Sequence, residues 1–243
     1  MSILNTSLDR LPALDRLPAA ERGITIADFL VPIRVGERLS SRVRHVALIV
    51  AGALLVGLTA RLTIFQEGQT IPLLADFQVR LAESPVPITG QTFGVLLVGG
   101  ALGLRRGAAS LLLYLAMGLV LPVYAGGASG LDTFVTSEGG RIALAPTGGY
   151  IVGFILAAAF TGKLAEFGWD RRLGGAVLAM LAGNAVIYLA GLPWLALSTG
   201  GTPEQVLAWG LTPFVIVALV KLVAAAALFP AAWWVVGRNP RER

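Results

Sequence analysis

The sequence contains no cysteine. Disulfides, thiolate metal sites and cysteine nucleophiles are therefore excluded. Its one histidine, His45, stands at the edge of an apolar stretch, so a histidine-based metal site or catalytic triad is not available. No G-x-x-x-x-G-K-[ST] phosphate loop is present: Gly162-Lys163 is followed by Leu164 and lacks the upstream glycine. No pair of carboxylates lies within an apolar stretch to act as a proton relay. These absences leave the chain without a catalytic engine of its own, and neither enzyme chemistry nor a cofactor is expected. Charge is scarce as well. Only 14% of residues are charged and 56% are hydrophobic, where a soluble domain carries about 25% charge. Such a chain cannot cover itself with polar surface, which points to the lipid bilayer as its solvent.

What is present fits that solvent. The 30 glycines match the glycine enrichment of membrane helices. A bilayer core of about 30 Å needs about 20 apolar residues per helix. Spans are predicted at 45–64, 148–165, 173–192 and 213–236. The stretch 92–122 is broken by Gly103-Leu104-Arg105-Arg106-Gly107. It is too long for one helix and short for two, and reads as two helices joined by a tight turn, the first of them short. The expected fold is an all-α integral membrane protein with six transmembrane helices. The predicted division is an N-terminal extension (1–44), a membrane domain (45–237) and a tail (238–243).

The basic residues test this count. Arg34, Arg38, Arg42 and Arg44 precede the first span; Arg105 and Arg106, then Lys163, Arg171 and Arg172, occupy turns on the same side; Arg238, Arg241 and Arg243 follow the last span. Only Arg61, Arg80 and Arg141 fall on the other side. The positive-inside rule then places both termini in the cytoplasm of a multi-pass protein of the cell membrane. The net charge of +5 is explained by topology, and no nucleic-acid partner is expected. The N-terminal extension repeats Leu8-Asp9-Arg10-Leu11-Pro12-Ala13 as Leu14-Asp15-Arg16-Leu17-Pro18-Ala19. It has no long apolar core and does not read as a signal peptide. It reads as a partly disordered tail, with an amphipathic surface helix or a contact for a partner subunit as the alternative. Two outer loops, 66–90 and 123–147, are long enough to be lids or binding loops.

Lys221 stands eight residues into the last span, about 12 Å below its outer end. A lysine at that depth costs roughly 2.5–3.5 kcal/mol on insertion scales. No Asp or Glu lies deep within a span to pair with it. It therefore suggests a ligand cavity opening outward, with snorkelling as the alternative. Asn184 is a second polar residue at depth, a candidate for ligand contact or interhelical bonding. Gln91 and Thr92 open a span and are candidate ligand donors or helix caps. Tyr114, Tyr150 and Trp209 could stack on a ring or belong to an interfacial belt. Gly149, in Pro146-Thr147-Gly148-Gly149-Tyr150, permits close backbone approach to a ligand or a plain turn. Ala47 and Ala51 are four apart, a small-residue groove suited to internal packing or to docking another membrane subunit.

At Pro85-Val86-Pro87-Ile88-Thr89-Gly90-Gln91-Thr92 the sequence resembles the BioY family, the biotin-specific S-components of energy-coupling-factor transporters. The resemblance continues through Gly103–Gly107, Leu121-Pro122-Val123-Tyr124-Ala125-Gly126-Gly127 and Pro146–Phe154. It implies six membrane helices around an outer cavity, biotin as ligand, and a T-subunit with two ATPase subunits as partners. It implies that Ala47 and Ala51 dock on the T-subunit. The family's last helix carries Pro-Phe-x-Pro-Gly-Asp-x-x-Lys, which Pro213, Phe214 and Lys221 match; Ile216, Val217 and Ala218 replace the Pro, Gly and Asp. Lys221, Gln91 and Tyr114 are the ligand contacts expected first, with Asn184, Gly149 and Tyr150 beside them. The missing carboxylate at Ala218 keeps another small vitamin or a biotin precursor open as the ligand.

Overall fold

The computed structural model describes residues 25–30, 41–65, 84–138 and 141–237. The Leu-Asp-Arg-Leu-Pro-Ala repeat, most of the first outer loop and the tail after 237 lie outside the described residues. The described chain is mostly helical: α1 (Ile26–Leu30), α2 (Ser41–Arg61), α3 (Gln91–Gly118), α4 (Gly148–Glu166), α5 (Leu173–Thr199), α6 (Pro203–Gly210) and α7 (Thr212–Gly237). The fold is not purely helical. Strands β1 (Thr63–Phe65) and β2 (Ile88–Thr89) pair antiparallel, and β3 (Val135–Glu138) and β4 (Arg141–Leu144) form a hairpin in the second long loop.

Among the described residues, four helices are long and apolar enough to cross a membrane: Arg42–Arg61, Gln91–Gly118 taken as one, Gly148–Glu166 and Leu173–Thr199. A shorter apolar stretch, Leu222–Trp234, lies within α7. Helix α3 is not straight. Gly103 has φ 80° and ψ 178°, outside helical space, and divides it. The arms 91–102 and 104–118 run back against each other. A Cβ added to Gly107 would lie 3.1 Å from Gly99 Cα. Gln91 Nε2 donates to Tyr114 Oη at 2.7 Å, although a straight helix would hold these residues roughly 35 Å apart.

The reversal has local causes. Gly103 adopts a positive φ that costs glycine little. Glu166 Oε1 accepts from Leu104 N–H at 2.9 Å, placing a carboxylate at the start of the second arm, where helix N–H groups lack partners. Gly162 of α4 presses on the same turn, since a Cβ there would lie 2.4 Å from Gly103 carbonyl carbon. Small residues continue this contact along α4: Gly99 meets the Ala158 backbone, and Gly153 meets Ile187 of α5. With lipid outside, close backbone approach of this kind supplies the packing energy that water would supply elsewhere.

Several boundaries differ from expectation. Helix α2 begins at Ser41 rather than 45. Helix α5 continues through Pro193 to Thr199 instead of ending at 192, because a membrane helix tolerates proline where neighbours satisfy the freed backbone. Helix α6 was not expected. Its capping box, with Thr202 accepting from Gln205 N–H and Gln205 reaching back, is nevertheless written in Thr202-Pro203-Glu204-Gln205.

Within the N-terminal extension, α1 docks on the bundle. Arg106 donates to both carboxylate oxygens of Asp28 at 2.7 Å and to Thr25 Oγ1 at 3.1 Å. Thr25 Oγ1 donates to Asp28 Oδ2 at 2.9 Å, and Arg44 lies 3.8 Å from Asp28. Burial pushes the Asp28 carboxyl up, but the hydrogen bonds and charge of Arg106, with those of Thr25, outweigh it and hold the pKa below its ordinary value of 3.8. A depressed folded-state pKa adds stability that is present above the ordinary value and lost as pH falls through the folded one. Asp28→Asn should therefore lower the melting temperature in detergent at pH 7, by a cost of about 3 kcal/mol for stranding a buried arginine. The gap to wild type should narrow below about pH 4. A gap that stays constant with pH would remove the ion pair as its cause.

Candidate ligand-binding cavity

One end of the bundle carries a cavity enclosing about 170 Å³. That is room for a small organic molecule and too little for a folded peptide. Its walls come from parts of the chain far apart in sequence. Val86, Pro87 and Thr89 come from the strand segment, and Gln91 and Thr92 from the first turn of α3. Tyr124, Ala125, Ala128, Thr133 and Thr147 come from the second long loop. Tyr150, Ile151 and Phe154 of α4, Ile187 and Tyr188 of α5, and Phe214 of α7 complete it. None of these residues is charged. The lining is apolar and aromatic with a few placed polar groups, the usual composition of a small-molecule site.

The polar groups are held in fixed orientations. Thr89 Oγ1 donates to Gln91 Oε1 at 2.9 Å, and Gln91 Nε2 donates to Tyr114 Oη at 2.7 Å. Tyr114 Oη donates in turn to the Val123 carbonyl at 3.1 Å. This relay defines which end of the Gln91 amide is which. It leaves one amide N–H and one carbonyl lone pair without a partner among the described residues. Tyr150 lies stacked against Phe214, with ring centroids 6.3 Å apart, and its hydroxyl donates to Gly210 carbonyl at 3.0 Å. Tyr124 meets Tyr114 and Phe134 edge-on and donates to Leu115 carbonyl at 2.7 Å. Burial pushes the Tyr124 hydroxyl up to about 12, so it stays neutral and a donor.

The residues expected at the site divide into three groups. Gln91 and Tyr150 line the cavity together. Tyr114 does not; it is 0% exposed and acts one step behind, on Gln91. Gly149 does not line it either, and serves instead the contact of α4 with α5, where a Cβ would lie 2.2 Å from Trp194 Cβ. Asn184 is buried one turn along α5 from Ile187 and Tyr188. Its Nδ2 donates to Met180 carbonyl at 3.2 Å, and Oδ1 has no partner. Lys221 falls within α7, and its side chain lies outside the described residues. Ala47 and Ala51 are exposed on α2 beside exposed Val43, Val50, Leu54 and Leu58, while Ala53 and Val56 face inward.

Sequence reasoning missed Thr89, Tyr124, Thr133 and Phe214 as lining residues. Thr89 and Tyr124 sit within the motifs Pro85–Thr92 and Leu121–Gly127 already singled out. Nothing in the sequence around Thr133 marks it.

The chain matches the family profile described as "BioY family" over residues 34–238. It is 38% identical over 130 residues to the "Biotin transporter BioY" of Rhizobium etli, a match covering 50% of this chain and 65% of that protein. It is 36% identical over 152 residues to the "Probable biotin transporter BioY" of Pyrococcus horikoshii, covering 62% of this chain and 83% of that protein. The fold is similar to the crystal structure of the S-component for biotin from an ECF-type ABC transporter, with a TM-score of 0.59, 21% identity, and coverage of 81% of this chain and 94% of that one. With its profile match running from the residues before α2 to the end of α7, the chain belongs to the BioY family.

Proposed function

We propose that this chain is the membrane subunit that captures biotin on the outer side of the cell membrane and passes it inward through an ATP-driven energy-coupling-factor complex. The observation that carries the reading is the cavity itself: a neutral, largely apolar pocket into which the Pro85–Thr92 segment delivers an oriented amide. Biotin has an apolar ring body, a ureido head and a carboxylate tail. The free N–H and lone pair of Gln91 complement a ureido edge, which offers the same two groups. The relatives named as biotin transporters support the same ligand.

The reversal at Gly103 supports a six-segment membrane topology. Counting the two arms of α3 separately, each shorter than a full span, gives six membrane-embedded segments: 41–61, 91–102, 104–118, 148–166, 173–199 and 212–237. An even number places both termini together, on the side rich in arginine. The cavity then opens outward, and the Gly103 turn faces the cytoplasm. Lys221 follows the cavity-lining Phe214 by seven residues, two helical turns further in. We assign its ammonium to the ligand at the cavity floor, with Asn184 near that depth. Ala47 and Ala51, outward on α2, are assigned to the T-subunit. Two ATPase subunits supply the energy that this chain has no phosphate loop to harvest.

Labelled biotin should bind tightly and stoichiometrically to the purified chain in detergent or nanodiscs. Lys221→Ala should weaken it by roughly tenfold or more, the worth of a charge-assisted hydrogen bond. Equal affinity in that variant would remove Lys221 from the site, and no saturable biotin binding by wild type would sink the assignment. Ala51→Trp should reduce co-purification of the T-subunit and leave biotin capture by the isolated chain intact. Undiminished co-purification would return that face to lipid.

A further inference from the structure

Thr133 closes the short helical turn Leu131–Thr133 in the second long loop and lines the cavity. It is 9% exposed, and its hydroxyl has no hydrogen-bond partner. Buried hydroxyls without partners are rare, because each forfeits the bonds it made with water. Nor is the residue loosely held. Its carbonyl accepts from Thr147 Oγ1 at 3.2 Å, next to the start of α4. Phe134 N–H bonds Leu131 carbonyl at 2.8 Å, and Ala145 N–H bonds Phe134 carbonyl at 2.9 Å. The loop is thus pinned on both sides of a hydroxyl that bonds to nothing.

We infer that Thr133 is a specificity-determining residue whose hydroxyl hydrogen-bonds the uncharged polar head of the bound molecule, an amide- or ureido-type edge, beside Gln91. Three of its hydroxyl-bearing neighbours on the cavity wall are already committed. Thr89 donates to Gln91, Tyr124 to Leu115 and Tyr150 to Gly210. Thr133, the Tyr188 hydroxyl and the unused half of the Gln91 amide are the groups the described wall leaves for a ligand. A hydroxyl both donates and accepts, so it can meet either the N–H or the carbonyl of such an edge. The described lining carries no cation that would stabilise a carboxylate here. The neutral head therefore lies at Thr133, and the charged tail lies elsewhere. This inference rests on the assignment of the cavity to biotin and adds which end of the ligand the second loop reads.

The test uses the full chain, with wild type, Thr133→Val and Thr133→Ser compared in two measurements. The first is affinity for biotin and for biotin methyl ester, whose tail is neutral. Thr133→Val, nearly identical in shape, should bind both roughly three- to tenfold more weakly, the range for one neutral hydrogen bond. Thr133→Ser should recover most of the loss. The second is the melting temperature without ligand, which Thr133→Val should leave unchanged or raise, since it removes an unpaired polar group. Equal affinity of Thr133→Val for biotin overturns the inference. So does a penalty that vanishes with the methyl ester, which would move the contact to the tail. A lower ligand-free melting temperature in Thr133→Val also overturns it, by revealing a structural bond. If wild type binds no biotin, the biotin assignment fails separately, and the ligand-free melting temperature alone decides for or against a ligand-reserved hydroxyl.

Discussion

The chain reverses direction at Gly103, and the cavity depends on that reversal. Without it the first turn of α3 and Tyr114 would stand at opposite ends of one long helix. With it, Gln91 meets Tyr114 at 2.7 Å. The turn is over-determined. Glycine supplies the backbone angle, Glu166 satisfies the first N–H of the returning arm, and Gly162 lets α4 pack directly against the turn. The same turn presents Arg106 to Asp28, so the N-terminal helix α1 is clasped to the element that shapes the cavity at the far end.

A binding site in an apolar bundle has to carry polar groups without paying for them as disorder. Here they are chained. Thr89, Gln91, Tyr114 and the Val123 carbonyl form one directed relay, each member fixing the next. Oriented groups lose little further freedom when a ligand arrives, which is where pre-organised sites gain affinity. The aromatic residues do the complementary work: Tyr150 and Phe214 stack as a flat wall across the α4–α7 contact, and Tyr124 wedges the second loop against Tyr114.

The broad organisation was legible in the sequence because lipid imposes strong rules. Apolar runs of span length and the glycine-flanked two-arginine break at 103–107 have single physical causes. Gln91 and Tyr150, singled out from their motifs, both lie on the cavity wall. Tyr114 was identified but misplaced, because its pairing with Gln91 arises from the antiparallel packing of the two arms and has no local signature. Gly149 looked like a ligand-approach glycine and proved to be a helix-contact glycine, two roles that composition does not separate. Helix α6 was missed although its capping box was readable, because eight residues fall short of any span-length criterion. Thr133 could not be read at all: its place on the cavity wall comes from the packing of a loop.

The most direct test of the reversal uses the natural absence of cysteine, which allows spin labels to be placed at will. Labels at Phe93→Cys and Leu112→Cys in the otherwise unaltered chain report the separation of the two arms by electron spin resonance in nanodiscs. Arms packed at an interaxial distance of about 8–10 Å predict a label separation below roughly 20 Å. A distribution centred near the roughly 29 Å of a continuous helix would contradict the account.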